Sequence, residues 1–127
     1  MGCTREKCIA PLPQTYYAAF TKIDVDQNSL LIVAELAGKI VGTLQLTFIV
    51  YLTYQGGKRA LIEGVRVDAA KRGLGVGAAM LNWAIQKSKE EECHMVQLTT
   101  DKRRKEALAF YQQLGFVASH EGMKLYF

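Results

Sequence analysis

Read as a pattern of apolar and polar positions, the chain changes period twice. Tyr16, Tyr17, Phe20 and Ile23 follow the i, i+1, i+4, i+7 spacing of an amphipathic helix, and Pro11 and Pro13 bar a helix before Gln14. Residues 1–29 otherwise form a poorly defined N-terminal segment. Leu30 to Leu36 is a β-rich run that ends at Ala37-Gly38-Lys39, and a second run, Ile40 to Tyr54, follows at once. The two predict a hairpin. After the turn Gln55-Gly56-Gly57-Lys58 comes a third strand, Arg59 to Val67.

From Gly75 the period becomes helical. Met80, Leu81, Ala84 and Ile85 make an apolar stripe opposite Asn82, Gln86, Lys87 and Lys89, in a helix that closes near Glu91. A short strand, Met95 to Thr99, precedes a second amphipathic helix with Ala107, Phe110, Tyr111 and Leu114 on one face. Gly115 then stands where a left-handed C′ residue is needed. Phe116 to Ser119 and Met123 to Phe127 predict a closing strand pair around Glu121-Gly122. The order helix, three antiparallel strands, helix, strand, helix, two strands describes one α+β domain over residues 1–127.

Composition narrows the class of protein. No apolar run reaches the roughly 18 residues of a membrane span; the longest candidate, Leu44 to Tyr54, is broken by Gln45, Thr47 and Thr53. Arg5, Glu6 and Lys7 occupy the place of a secretory apolar stretch, so a cytoplasmic protein without a membrane partner is expected. Three widely spaced cysteines, Cys3, Cys8 and Cys93, with only His94 and His120 beside them, offer neither a disulfide framework nor metal-ligand spacing, so no metal is expected. The net charge of +4 suits a polyanionic small molecule. A basic stripe interleaved with aromatics is missing, so nucleic acid is not an expected partner.

The stretch most specific for chemistry is Val65-Arg66-Val67-Asp68-Ala69-Ala70-Lys71-Arg72-Gly73-Leu74-Gly75-Val76-Gly77. A strand leads through a polar turn into a helix whose start holds three glycines. Uncovered N–H groups at a helix start, with the helix dipole, make an anion site, and Arg72 adds a fork of donors. A diphosphate on the N–H groups of Gly73 to Gly77 is therefore expected; a glycine-rich turn that merely lets a helix pack closely is the competing explanation. The P-loop pattern G-x-x-x-x-G-K-[ST] is absent. The dinucleotide pattern G-x-G-x-x-G/A is met by Gly73, Gly75 and Ala78, but Asp68 to Arg72 separate it from the strand and too little chain remains for the further βα units.

Arg72, Gly75 and Gly77 are in register with the R/Q-x-x-G-x-G/A acyl-CoA motif of the GNAT superfamily of N-acyltransferases, which this chain resembles. Ala107-x-x-Phe110-Tyr111-x-x-Leu114-Gly115-Phe116 is similar to a second element of that superfamily. The resemblance runs from about Leu31 to Phe127 and implies a GNAT-like fold with a mostly antiparallel sheet, without that family's usual first strand and helix. It also implies acetyl-CoA as cosubstrate, lying between the strands Glu63–Val67 and Met95–Thr99. The pantetheine arm would pair with the backbone near Val65 and Val67, the diphosphate would sit on the loop Arg72, Gly73, Leu74, Gly75, Val76 and Gly77, and Phe110 would flank the thioester. The edge left at Leu30 to Leu36 suggests a homodimer.

Acyl transfer to an amine needs a base or water relay and an acid for the leaving thiolate. Strand alternation places Leu61, Glu63, Val65 and Val67 on one face, so Glu63 is the expected base, in an apolar row that would favour its neutral form. Tyr111 matches the family tyrosine and is the expected acid. Cys93 follows three glutamates that disfavour a thiolate, so direct transfer to a small-molecule or peptide amine is expected. Arg103 and Arg104 at a helix start hint at an anionic partner such as the 3′-phosphate of CoA, with solvated charge the simpler account. His120 lies on a late strand beside Glu121. A non-catalytic acyl-CoA-binding or regulatory module is the alternative reading.

Overall fold

The structure is a computed structural model, and it describes residues 11–127. Cys3 and Cys8 fall outside the described residues. Helix α1 (Gln14–Val25) starts directly after Pro13, as the prolines require, but buries none of its residues, and Tyr17 and Phe20 are about half exposed. Strands β1 (Ser29–Leu36) and β2 (Lys39–Val50) form the expected hairpin, with Ala37 and Gly38 both at positive φ in the turn. That geometry is a type I′ turn, whose twist matches the strands it joins. β2 ends four residues short of the expectation. A single turn, α2 (Thr53–Gly56), follows, with Tyr54 and Gln55 at positive φ.

Strand β3 (Lys58–Val67) pairs antiparallel with β2 and parallel with β4 (Met95–Gln97), giving the sheet order β1-β2-β3-β4 with β1 at an edge. Between β3 and β4 the chain makes a 3₁₀ turn, Ala69–Lys71, and helix α3 (Val76–Glu90). α3 lays Met80, Leu81 and Ala84 onto Leu44, Leu46, Ala60 and Ile62 of the sheet, and this is the core. Helix α4 (Lys105–Gln113) adds Ala107 and Tyr111 to it.

Two expectations are corrected. β3 is not a uniform alternation. Opposite Leu44 of β2 stand two residues, Gly64 and Val65, a β-bulge with Gly64 at φ +62°. A bulge shifts the side-chain phase by one residue. Ala60 and Ile62 are buried before it and Val67 after it, so Glu63 leaves the face that holds Val67 and is exposed. The apolar row expected around Glu63 does not exist.

The second correction concerns the C-terminus. Residues 116–127 form no strand, and Val117, Met123, Leu125 and Tyr126 are exposed. Alternation makes a strand only where a neighbouring backbone edge receives its hydrogen bonds. Among the described residues its main chain bonds only locally, as from Ser119 N–H to the Val117 carbonyl.

Candidate functional site

β3 and β4 are hydrogen-bonded only from Arg59–Leu61 to Met95–Gln97. Past that point the two backbones part, and residues 62–66 and 98–101 become opposite walls of a cleft of about 350 Å³. The bulge at Gly64 opens the same stretch of β3. Glu63 and Val65 line this cleft from one side, and Tyr111 reaches it from α4. Two of the sequence's candidate catalytic residues, 48 positions apart (111 − 63), therefore share one cavity.

Tyr111 is held there by the way α4 stops. Phe116 N–H donates to the Tyr111 carbonyl at 3.1 Å and Gly115 N–H to the Gln112 carbonyl at 3.0 Å, with Gly115 at φ +100°. This is a Schellman ending, and only a residue tolerant of the left-handed region serves at C′. The Tyr111 ring packs edge-on against the Phe116 ring at 6.0 Å and against the Phe110 ring at 5.3 Å. Tyr111 is 7% exposed. Burial pushes its phenol above the ordinary tyrosine range, opposed in part by the nearby Arg104 guanidinium. The hydroxyl therefore keeps its proton at neutral pH and is a donor.

A second cleft, of about 290 Å³, also borders α4, through Glu106, Ala107 and Phe110. Val67, Arg72, Gly73, Gly75, Val76, Gly77 and Phe110 line it, with Lys71 added. Leu74 is exposed and is not part of this lining, and Val65 belongs to the first cleft. Local chemistry shapes the approach. Asp68 N–H donates to the Val41 carbonyl at 2.7 Å, and the Asp68 carboxylate accepts from Ala70 N–H at 3.2 Å. The chain is thereby turned so that Arg72, in extended conformation, faces the helix start.

Gly73 and Gly75 both sit at φ +81°, and a Cβ added to either would meet nothing within 4 Å. Close helix–sheet packing is thus not what these two glycines serve. They bend the backbone through the left-handed region while leaving open space over the start of α3, where no side chain caps the N–H groups. A 15-residue helix directs its positive end into that space.

The remaining candidates are sorted by position. Cys93 is packed against the core and lines neither cleft; burial raises its thiol pKa, opposed in part by the Lys58 ammonium, and the Glu91 carboxylate adds a smaller upward push. His120 is exposed, bonded to Ser119 at 2.6 Å, and lines neither cleft. Arg103 is paired with Asp101 at 2.7 Å, while Arg104, next in sequence, turns into the first cleft. Sequence reasoning missed Gly64, Thr100 and Lys124. Only Gly64 carried a local signal, as a lone glycine inside a strand. Among the described residues no group of acidic, histidine or cysteine side chains is arranged to hold a metal ion, and no helix is long and apolar enough to cross a membrane.

A parted strand pair with an anion-receptive helix start beside it defines a class of protein, and comparison with known sequences agrees. The sequence profile of the acetyltransferase (GNAT) family matches residues 3–116. The chain belongs to that family. It is 34% identical over 88 residues to glucosamine 6-phosphate N-acetyltransferase of Trypanosoma brucei brucei, across 69% of this chain and 58% of that protein. The chain spans about 58% of that relative's length and less of two further curated relatives. A crystal structure of a transcriptional regulator from Bacillus halodurans C-125 superposes with a TM-score of 0.93 at 56% identity, over 97% of this chain and 82% of that one. Glucosamine-6-phosphate N-acetyltransferase from Arabidopsis thaliana superposes with a TM-score of 0.79 at 25% identity, over 90% and 78%.

Proposed function

We propose that this chain is an acetyl-CoA-dependent N-acetyltransferase that hands the acetyl group directly to a primary amine of a small molecule. The observation that carries the reading is the pair of clefts that border α4. One has an open, uncapped helix start for a diphosphate; the other holds a protonated tyrosine and a carboxylate where two strands part.

The roles follow from position. Arg72 and the N–H groups from Gly73 to Gly77 hold the diphosphate of acetyl-CoA. The pantetheine arm runs along β3 at Val65 and Val67, past Phe110, and carries the thioester into the first cleft. There the neutral amine attacks the thioester carbonyl, forming a C–N bond, and the C–S bond breaks as the tetrahedral intermediate collapses. The Tyr111 hydroxyl gives its proton to the departing CoA thiolate. Glu63 is exposed, so it takes the amine proton through cleft water rather than as a desolvated base. Among the described residues Cys93 is the one cysteine, and its place outside both clefts favours direct transfer over an acetyl-enzyme.

The relatives named as glucosamine 6-phosphate acetyltransferases support a small amine as acceptor. The edge position of β1, with Leu31 and Val33 exposed, supports a homodimer. A second reading, an acyl-CoA-binding regulatory module without turnover, is favoured by the regulator from Bacillus halodurans. Calorimetric titration of acetyl-CoA into the protein and its Arg72→Ala variant, followed by thiol release with a panel of amines, tests both. Binding weakened in the variant, with thiol release, supports the enzyme; binding without release from any amine supports the module. No binding at millimolar acetyl-CoA refutes both.

A further inference from the structure

The cleft that holds Glu63 and Tyr111 carries more positive charge than a thioester and an amine require. Arg66, Arg104 and Lys124 line it, against the carboxylates of Glu63 and Asp101. Asp101 is already engaged by Arg103, which is not part of the lining. Among the described residues Arg66, Arg104 and Lys124 form no ion pair. Two polar atoms of the wall, Arg104 Nη2 and Thr100 Oγ1, are buried without a hydrogen-bond partner. Buried donors are nearly always satisfied, and an orphaned guanidinium N–H is among the costlier ones to leave unmade.

Acetyl-CoA does not account for this charge. Its diphosphate is assigned to the glycine-rich cleft, which shares no lining residue with the first; its adenosine 3′-phosphate lies beyond the diphosphate, at the far end of the molecule from the thioester that enters the first cleft; and its pantetheine and acetyl parts are neutral. The charge is therefore matched to the acceptor. A phosphate monoester carries between one and two negative charges near neutral pH and three acceptor oxygens. Such a group suits a fork of donors, a hydroxyl and a flexible ammonium converging from three segments.

We propose that the acceptor amine bears a phosphate ester, held by Arg104 and Thr100 with Lys124 and Arg66 around it, while Glu63 faces the amine end. The proposal rests on the acetyl-transfer reading of the same cleft. Arg104 precedes α4 and Tyr111 is seven residues on, so the phosphate-binding side chain and the thioester acid are carried by one rigid element. The spacing between them then selects how far the amine lies from the phosphate.

The test saturates the diphosphate site with CoA and titrates inorganic phosphate, and separately acetate, into the wild-type protein and the Arg104→Ala, Arg104→Lys and Lys124→Ala variants. Phosphate is expected to bind the wild type and to weaken about tenfold or more in Arg104→Ala, since a hydrogen bond to a charged group is worth about 1.5–3 kcal/mol. Arg104→Lys keeps part of the affinity, and Lys124→Ala, a change at an exposed residue, lowers it severalfold. In parallel, kcat/KM is compared for glucosamine 6-phosphate against glucosamine and for O-phosphoethanolamine against ethanolamine. Preference for the phosphorylated member, lost in Arg104→Ala while CoA affinity is retained, is the expected result. Equal use of the neutral amines, phosphate affinity indifferent to Arg104, or acetate bound as tightly as phosphate would each overturn the proposal. Failure of the acetyl-transfer reading shows separately, as loss of CoA binding in the wild type.

Discussion

Gly75 and Gly38 make a matched pair for testing what the glycine-rich helix start is for. Both have left-handed φ, +81° and +76°, and at both an added Cβ meets nothing within 4 Å. Replacing either by alanine therefore costs backbone strain and no steric clash, about 1–2 kcal/mol for a non-glycine residue held in that region. For a chain of this size each kcal/mol lowers Tm by roughly 3–6 °C. Gly75→Ala and Gly38→Ala should thus lose similar stability in a thermal melt. They differ in location: Gly38 lies in the hairpin turn, whereas Gly75 caps α3 at the edge of the second cleft. A Cβ at Gly75 enters the space assigned to the diphosphate and displaces at least one charge-assisted contact, worth about 1.5–3 kcal/mol. That corresponds to a roughly 10- to 150-fold weaker Kd for acetyl-CoA. Calorimetry on both variants at a temperature where both stay folded reads this directly. If Gly75→Ala melts like Gly38→Ala yet binds acetyl-CoA as the wild type does, the backbone cradle is wrong.

Three further outcomes are expected. Tyr111→Phe should leave acetyl-CoA affinity within about twofold while lowering kcat about 100-fold or more, the usual contribution of a positioned acid; an unchanged kcat in a thiol-release assay would remove Tyr111 from the mechanism. Because burial raises the Tyr111 pKa in the folded chain, its stabilising effect is complete below the unfolded value near 10 and is lost as pH rises above it. Chemical denaturation at stepped alkaline pH should show the wild type losing stability more steeply than Tyr111→Phe, and parallel curves would contradict this. Ala37 holds φ +51° in a turn that favours Asn-Gly, so Ala37→Asn should raise stability by about 0.5–1 kcal/mol, read as a higher denaturant midpoint with an unchanged slope.

Much of the site was legible from residue order because its parts are local. The helix start at Gly75 and the ending at Gly115 are set within a few residues by glycines that accept positive φ, so both clefts' anchoring elements could be read without a partner. Acidic and basic candidates were legible only as types. Glu63 and Gly64 were adjacent in the sequence all along, but whether a strand glycine bulges depends on the register against β2, a contact some 20 residues away in the chain. Once the bulge forms, Glu63 faces open cleft instead of an apolar row.

Charge followed the same division. Arg103 and Arg104 are neighbours with identical chemistry, yet Asp101 captures the first and the second turns toward Tyr111, because the start of α4 sends consecutive side chains in different directions. The closing strands predicted at 116–127 show the limit most plainly. Alternating apolar residues state a preference for extended backbone, and the extended backbone becomes a strand only when another edge takes its hydrogen bonds. Local propensity, capping and turn chemistry are therefore determined by the sequence itself, since they act over three or four residues. Register, the parting of β3 from β4 and the gathering of Glu63, Arg104, Tyr111 and Lys124 into one cleft were decided by tertiary structure, because each depends on which distant backbone lies alongside.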